Sequence, residues 1–102
     1  MNKNLFVSEL LDVYGDFLSE KQRMLTEYYY NEDLSLSEIA ENEGITRQGV
    51  NDLIKRAVAQ MNEFEERFGY CKKFSKLKEL SAEIKSGNAQ KVNDILNLID
   101  EL

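Results

Sequence analysis

The sequence predicts an all-α fold, a helix-turn-helix bundle with a long fourth helix and a C-terminal helical extension. Three observations predict it. Every periodic segment spaces its apolar residues by three and four, and no segment alternates strictly between apolar and polar as a half-buried strand would. The capping boxes Ser19-Glu-Lys-Gln22 and Ser35-Leu-Ser-Glu38 each open such a segment. Ala40, Gly44, Val50 and Leu53 stand in the register of a helix-turn-helix. Ala40 is small enough for close helix packing, Gly44 supplies a turn residue without Cβ strain, and Val50 and Leu53 anchor the following helix.

The first helix is expected from Leu5 to Leu18, with Phe6, Leu10, Val13, Tyr14 and Phe17 on its apolar face and Gly15 near its end. The second starts at the Ser19 box, carries Met24, Leu25, Tyr28 and Tyr29, and stops near Asn31-Glu-Asp33. The third starts at the Ser35 box and ends at Asn42-Glu-Gly44. Thr46 is a good N-cap for the fourth, which can run from Arg47 to about Phe68. Its residues Val50, Ile54, Ala57, Met61, Phe64 and Phe68 recur at spacings of 4, 3, 4, 3 and 4, a heptad-like stripe longer than a three-helix core covers. Arg47, Gln48, Asn51 and Lys55 fall in the adjacent sector, so one face can pack while the other points outward. Gly69 breaks the pattern. Tyr70 to Ser86 then reads as a basic amphipathic helix with Phe74, Leu77, Leu80 and Ile84 on its apolar face and Ser81 polar beside them. Gly87 and Asn88 punctuate the chain, Asn88 can cap a last helix, and that helix carries Val92, Ile95, Leu96, Ile99 and Leu102. The expected domains are residues 1–69, the helix-turn-helix, and 70–102, an extension packed on it or in a dimer.

Composition narrows the function classes. The 102 residues suit one small domain with an appended segment. No run approaches the roughly 20 apolar residues of a membrane helix, so membrane insertion is not expected. Glu9 and Asp12 interrupt the apolar N-terminal stretch, which argues against a signal peptide and for a cytoplasmic protein. Histidine is absent and Cys71 is the single cysteine, so the commonest general base and a structural zinc site are both excluded. There is no Gly-rich phosphate loop and no nucleophile motif. An enzyme is not expected, and no catalytic residue, metal ligand or cofactor is assigned.

The net charge of −6 is segregated. Residues 1–43 set ten acids against Lys3, Lys21 and Arg23, whereas residues 44–60 set Arg47, Lys55 and Arg56 against Asp52 alone. Residues 70–91 carry six lysines against Glu79 and Glu83. The cations a nucleic-acid binder needs therefore sit on the fourth helix and on the helix after Gly69.

Residues 24–57 resemble region 4 of bacterial sigma factors through Leu25-Thr-Glu-Tyr28, Glu38-Ile-Ala40-Glu and Ile45-Thr-Arg47. Over residues 1–70, Tyr14-Gly-Asp-Phe-Leu-Ser-Glu-Lys-Gln22, Tyr29-Tyr-Asn-Glu-Asp-Leu-Ser-Leu36, Arg47-Gln-Gly-Val50 and Ile54-Lys-Arg56 resemble the YlxM family. Those small bacterial proteins are encoded beside signal recognition particle genes, and the resemblance implies a role in that pathway or in regulation. Residues 71–102 carry no matching motif.

Two functional readings follow. In the first, Thr46, Arg47, Gln48 and Asn51 enter a major groove at the start of the reading helix, while Lys55 and Arg56 contact phosphates. Arg47 pairs with guanine, and Gln48 or Asn51 with adenine. DNA is the expected partner, with RNA as the alternative. Against this stands the plain reading of the same side chains as a solvated helix face. In the second, the helix-turn-helix is a scaffold, and an acidic surface with Glu9, Asp12 and Asp16 binds signal recognition particle components. Tyr28, Tyr29 and Tyr30 point in different directions on a helix, so one or two are expected in the core and base stacking by them is the minor reading. The long stripe and the apolar tail helix argue for a homodimer, which would also set two reading helices on one duplex face.

Overall fold

The structure is a computed structural model that describes residues 5–102, and no strand occurs among them. Lys3, counted in the charge of the first segment, lies outside the described residues. The chain divides into two compact units, Met1–Arg67 and Phe68–Leu102.

In the first unit, α1 spans Leu5–Tyr14 and runs into a 3-10 turn over Gly15–Phe17. Its buried face is Val7, Leu10, Leu11 and Tyr14, spaced i, i+3, i+4 and i+7. That face is rotated from the expected one. Phe6 and Phe17 are exposed and Val13 is only half-buried, whereas Val7 and Leu11 are inside. Both stripes have helical spacing, and only the position of the partner helices chooses between them.

The helix α2, Glu20–Tyr30, opens on the Ser19 capping box, with the Gln22 amide donating to Ser19 Oγ at 3.2 Å. The helix α3, Leu36–Glu43, opens on the Ser35 box, with the Glu38 amide donating to Ser35 Oγ at 3.1 Å. Between them Asp33 takes a positive φ of 62°, a conformation that Asp tolerates better than most residues. Gly44 ends α3 at φ 68°, and the Ile45 amide closes the turn on the Ala40 carbonyl at 3.2 Å. The helix α4 then runs from Arg47 to Phe68.

Leu25 of α2, Ile39 and Ala40 of α3, and Val50 and Ile54 of α4 form one buried cluster. Each large apolar side chain fully buried in this way contributes roughly 1.5–3 kcal/mol. Tyr28, Tyr29, Tyr30, Leu34, Leu36, Ile45 and Leu53 pack around it half-buried. The three tyrosines thus share the edge of the core, with none wholly inside. Thr26 is fully buried, and its hydroxyl donates to the Gln22 carbonyl at 2.6 Å, which satisfies the polar group inside α2.

The stripe on α4 is largely consumed by the chain itself. Val50, Ile54, Ala57 and Met61 are buried. Phe64 is half-buried with its ring 5.8 Å from those of Tyr14 and Phe17, and the Tyr14 hydroxyl donates to Glu65 at 2.6 Å. Phe68 alone of the stripe is exposed, at 45%.

In the second unit, Gly69 takes φ 63° and precedes α5, Tyr70–Lys85. A 3-10 turn over Ala89–Lys91 leads to α6, Val92–Asp100. Asn88 does not cap the last helix: it precedes the 3-10 turn and makes no capping hydrogen bond through its side chain. Lys91 links the two helices by reaching Glu83 at 3.7 Å and Asp94 at 3.8 Å. Leu80 and Cys71 of α5 are buried, while Val92, Leu96, Ile99 and Leu102 form an exposed apolar row along the end of the chain.

Candidate nucleic-acid interface

The start of α4 is built by its cap. Thr46 Oγ1 accepts from the Gly49 amide at 2.9 Å, and the Val50 amide bonds the Thr46 carbonyl at 3.1 Å. This satisfies helix-end donors that would otherwise compete for water or a ligand. It also fixes the direction in which the next side chains leave the helix. At about 100° per residue, Arg47, Gln48, Asn51 and Lys55 fall in one sector, and Val50, Ile54 and Ala57 in the adjacent, packed one.

Thr46, Arg47, Gln48 and Asn51 are brought together with Leu36 around one open hollow of about 540 Å³. Thr46, Arg47 and Gln48 are exposed and Asn51 is half-buried. A second hollow of about 470 Å³ adjoins it, sharing Asn51 and Leu36 and adding Lys55, Asn62, Tyr29 and Tyr30. The Tyr29 and Tyr30 rings meet edge-on at 5.0 Å between centroids. Burial, and then the charge of Tyr29, push the Tyr30 hydroxyl above its ordinary pKa of 10.0. Arg56 is exposed but lines neither hollow, because it lies about 100° further round the helix than Lys55. Arg47, Lys55 and Arg56 make no ion pair among the described residues, so their charge is available to an incoming anion.

Sequence reasoning passed over Asn62, which stands eleven residues, three helical turns, beyond Asn51 on the same face. That spacing was its signal. Leu36 had none, because its place beside Gln48 depends on how α3 crosses α4. Gly49 stands in the first turn of α4, beside the cap. A Cβ there would meet only Thr46 Oγ1, at 3.1 Å, and nothing else within 4 Å.

The acidic surface differs in kind. Glu9 and Asp12 sit on α1, Glu9 with an interaction of its own, while Asp16 is held by Arg23, which also reaches Glu27 at 3.0 Å. Glu43 pairs with Lys21 at 3.2 Å. Part of the negative charge is therefore neutralised within the chain. Among the described residues no cluster of His, Cys, Asp or Glu could hold a metal, and no helix is long and apolar enough to cross a membrane.

Comparison with known proteins gives the family. The UPF0122 family, described as "Putative helix-turn-helix protein, YlxM / p13 like", matches residues 1–101. The chain belongs to this family. A UPF0122 protein of Clostridium perfringens is 42% identical over 105 residues, covering 99% of this chain and 93% of the relative. One from Shouchella clausii is 38% identical over 104 residues, covering 100% and 95%. One from Desulforamulus reducens is 38% identical over 94 residues, covering 92% and 71%. UPF0122 membership reaches through the tail that carried no recognised motif, so α5 and α6 are part of the family pattern.

Proposed function

We propose that this UPF0122 protein is a regulatory protein that binds duplex DNA through the first half of α4. The observation that carries this reading is the gathering of Thr46, Arg47, Gln48 and Asn51 around one open hollow, beside cations that pair with no acid among the described residues. Arg47 suits bidentate pairing with guanine, and Gln48 or Asn51 with adenine, each worth about 1–3 kcal/mol of discrimination. Lys55 and Arg56 reach phosphates on either side of the helix. Gly49 bears no side chain at the first turn, which lets a sugar-phosphate backbone come close.

Fluorescence anisotropy with a pool of genomic duplex fragments across a salt series tests it. Binding at low salt should weaken on Arg47→Ala/Lys55→Ala, with the salt slope falling by about one per lost phosphate contact. No binding at low salt, or binding unchanged in that variant, sinks the proposal.

The second reading is an adaptor for signal recognition particle components, favoured by the ten acids of residues 1–43 and by the YlxM likeness. A pull-down that captures those components, and loses them when Glu9, Asp12 and Asp16 are neutralised, would support it. Recovery of DNA without such a partner would count against it.

A further inference from the structure

The second unit carries a surface that the helix-turn-helix leaves unexplained. Phe68, Tyr70 and Phe74 form a ladder of nearly parallel rings. Phe68 and Tyr70 stack with centroids 5.4 Å apart and 8° between planes, and Tyr70 and Phe74 stack at 5.8 Å and 16°. The outer rings of the ladder are exposed, Phe68 at 45% and Phe74 at 39%. Lys73 Nζ lies 5.7 Å from the centre of the Tyr70 ring.

The face continues along α5 as a mixture of cations and small residues. At about 100° per residue, Tyr70, Phe74, Lys78, Ser81 and Lys85 fall within a sector of about 80°, while Glu79 and Glu83 fall on the far side. Those two acids are occupied by Lys76 at 3.8 Å and Lys91 at 3.7 Å. Lys78 and Lys85 make no ion pair among the described residues, and with Leu77, Ser81 and Ala82 they line a shallow hollow of about 400 Å³. Ser81 keeps this stretch polar where an apolar residue would have extended a packing face. From Tyr70 to Lys85 the face is about 22 Å long, enough for several nucleotides.

We propose that the aromatic ladder of Phe68, Tyr70 and Phe74, continued by Lys78 and Lys85, is a binding surface for single-stranded nucleic acid. Unpaired bases stack on the exposed ring faces, which every base can do, and the lysines track the phosphates. Charge complementarity favours this occupant over a protein helix. Residues 70–91 carry six lysines against two acids in a chain whose net charge is −6, and the acids lie off the face. The inference stands apart from duplex reading by α4, because no residue is shared.

The test uses the full chain and fluorescein-labelled oligo(dT) and oligo(U) of about fifteen nucleotides, followed by anisotropy at low and moderate salt. Both probes share unpaired bases and phosphates, and their relative affinity tells DNA from RNA. Phe68→Leu/Phe74→Leu keeps the apolar volume but removes two ring faces, and should weaken binding by about five- to a hundredfold. Lys78→Gln/Lys85→Gln leaves every ring in place and should lower the salt slope by about 0.7 per contact. Upfield shifts of the Phe68, Tyr70 and Phe74 ring protons on adding oligo(dT) would report stacking without any substitution. Absence of binding to either probe at low salt overturns the proposal. So does binding that survives both variants but disappears in Arg47→Ala/Lys55→Ala. If the phenylalanine variant instead turns a dimer into a monomer by sedimentation and neither probe binds, the ladder joins two copies and the proposal fails.

Discussion

Gly49→Ala isolates the balance between helix propensity and capping at the start of the reading helix. Replacing an interior helical glycine by alanine gains about 1 kcal/mol. The added Cβ would stand 3.1 Å from Thr46 Oγ1, so the capping hydroxyl must retreat by a few tenths of an ångström. The other two caps measure how easily that happens. Gln22 and Glu38 occupy the same position with full side chains, and their cap bonds are 3.2 and 3.1 Å, against 2.9 Å at Gly49. The retreat therefore costs a fraction of one hydrogen bond, a few tenths of a kcal/mol out of about 1. Gly49→Ala should stabilise the chain by about 0.5–1 kcal/mol. Thr46→Ala should cost about 0.5–2 kcal/mol. In that background the crowding is gone, and Gly49→Ala should recover the full gain of about 1 kcal/mol. Urea unfolding followed by circular dichroism on the four proteins of the cycle measures all of these terms. A loss of more than about 1 kcal/mol on Gly49→Ala in both backgrounds would refute the reasoning, since the cap could not then be the source of the conflict. If the glycine also admits a DNA backbone, the same variant should bind duplex more weakly while being more stable.

Other predictions rest on the core, the turn and one tyrosine. Ile39→Ala removes a side chain with no exposed surface at the centre of the α2–α3–α4 cluster, and should cost about 2–5 kcal/mol in denaturant unfolding. Gly44→Ala meets no atom within 4 Å, so its cost is conformational, about 1–2 kcal/mol for a left-handed residue, and a larger loss in the same assay would point to an unseen clash. Thr26→Val keeps the volume but deletes the bond to the Gln22 carbonyl, and should cost about 0.5–1.5 kcal/mol by thermal unfolding. Tyr30 has its folded pKa raised above 10.0, mainly by burial, so its contribution to stability is complete below pH 10 and is lost as pH rises through the folded value. Stability measured between pH 9 and 12 should fall less steeply in Tyr30→Phe.

Helix identity and boundaries were legible because they depend on neighbours in the chain. Ser19 and Ser35 cap where their spacing to Gln22 and Glu38 said they would, Thr46 caps as its residue type implied, and Gly44 turns left-handed where α3 had to stop. The same local logic misjudged Asn88, whose side chain caps nothing because a 3-10 turn intervenes before α6. The exposed sector of α4 could also be drawn from angular spacing alone, which is why Arg47, Gln48, Asn51 and Lys55 come out on one side.

What the sequence by itself determined is where α2, α3 and α4 start, which residues can share a face, and where the charge is concentrated. Those are properties of a periodic backbone and of side-chain chemistry, and they need no partner. Tertiary structure alone decided which of two equivalent faces of α1 is buried, with Val7 and Leu11 inside in place of Phe6 and Phe17. It also decided that the α4 stripe is spent within the chain up to Phe64, and that Leu36 and Asn62 join the outward hollows. The ring ladder of Phe68, Tyr70 and Phe74 is likewise invisible to spacing, since it bridges the end of one helix and the start of the next. Burial and cross-element contact depend on how helices cross, and that angle is set by all the side chains at the crossing together, with no record in any one segment.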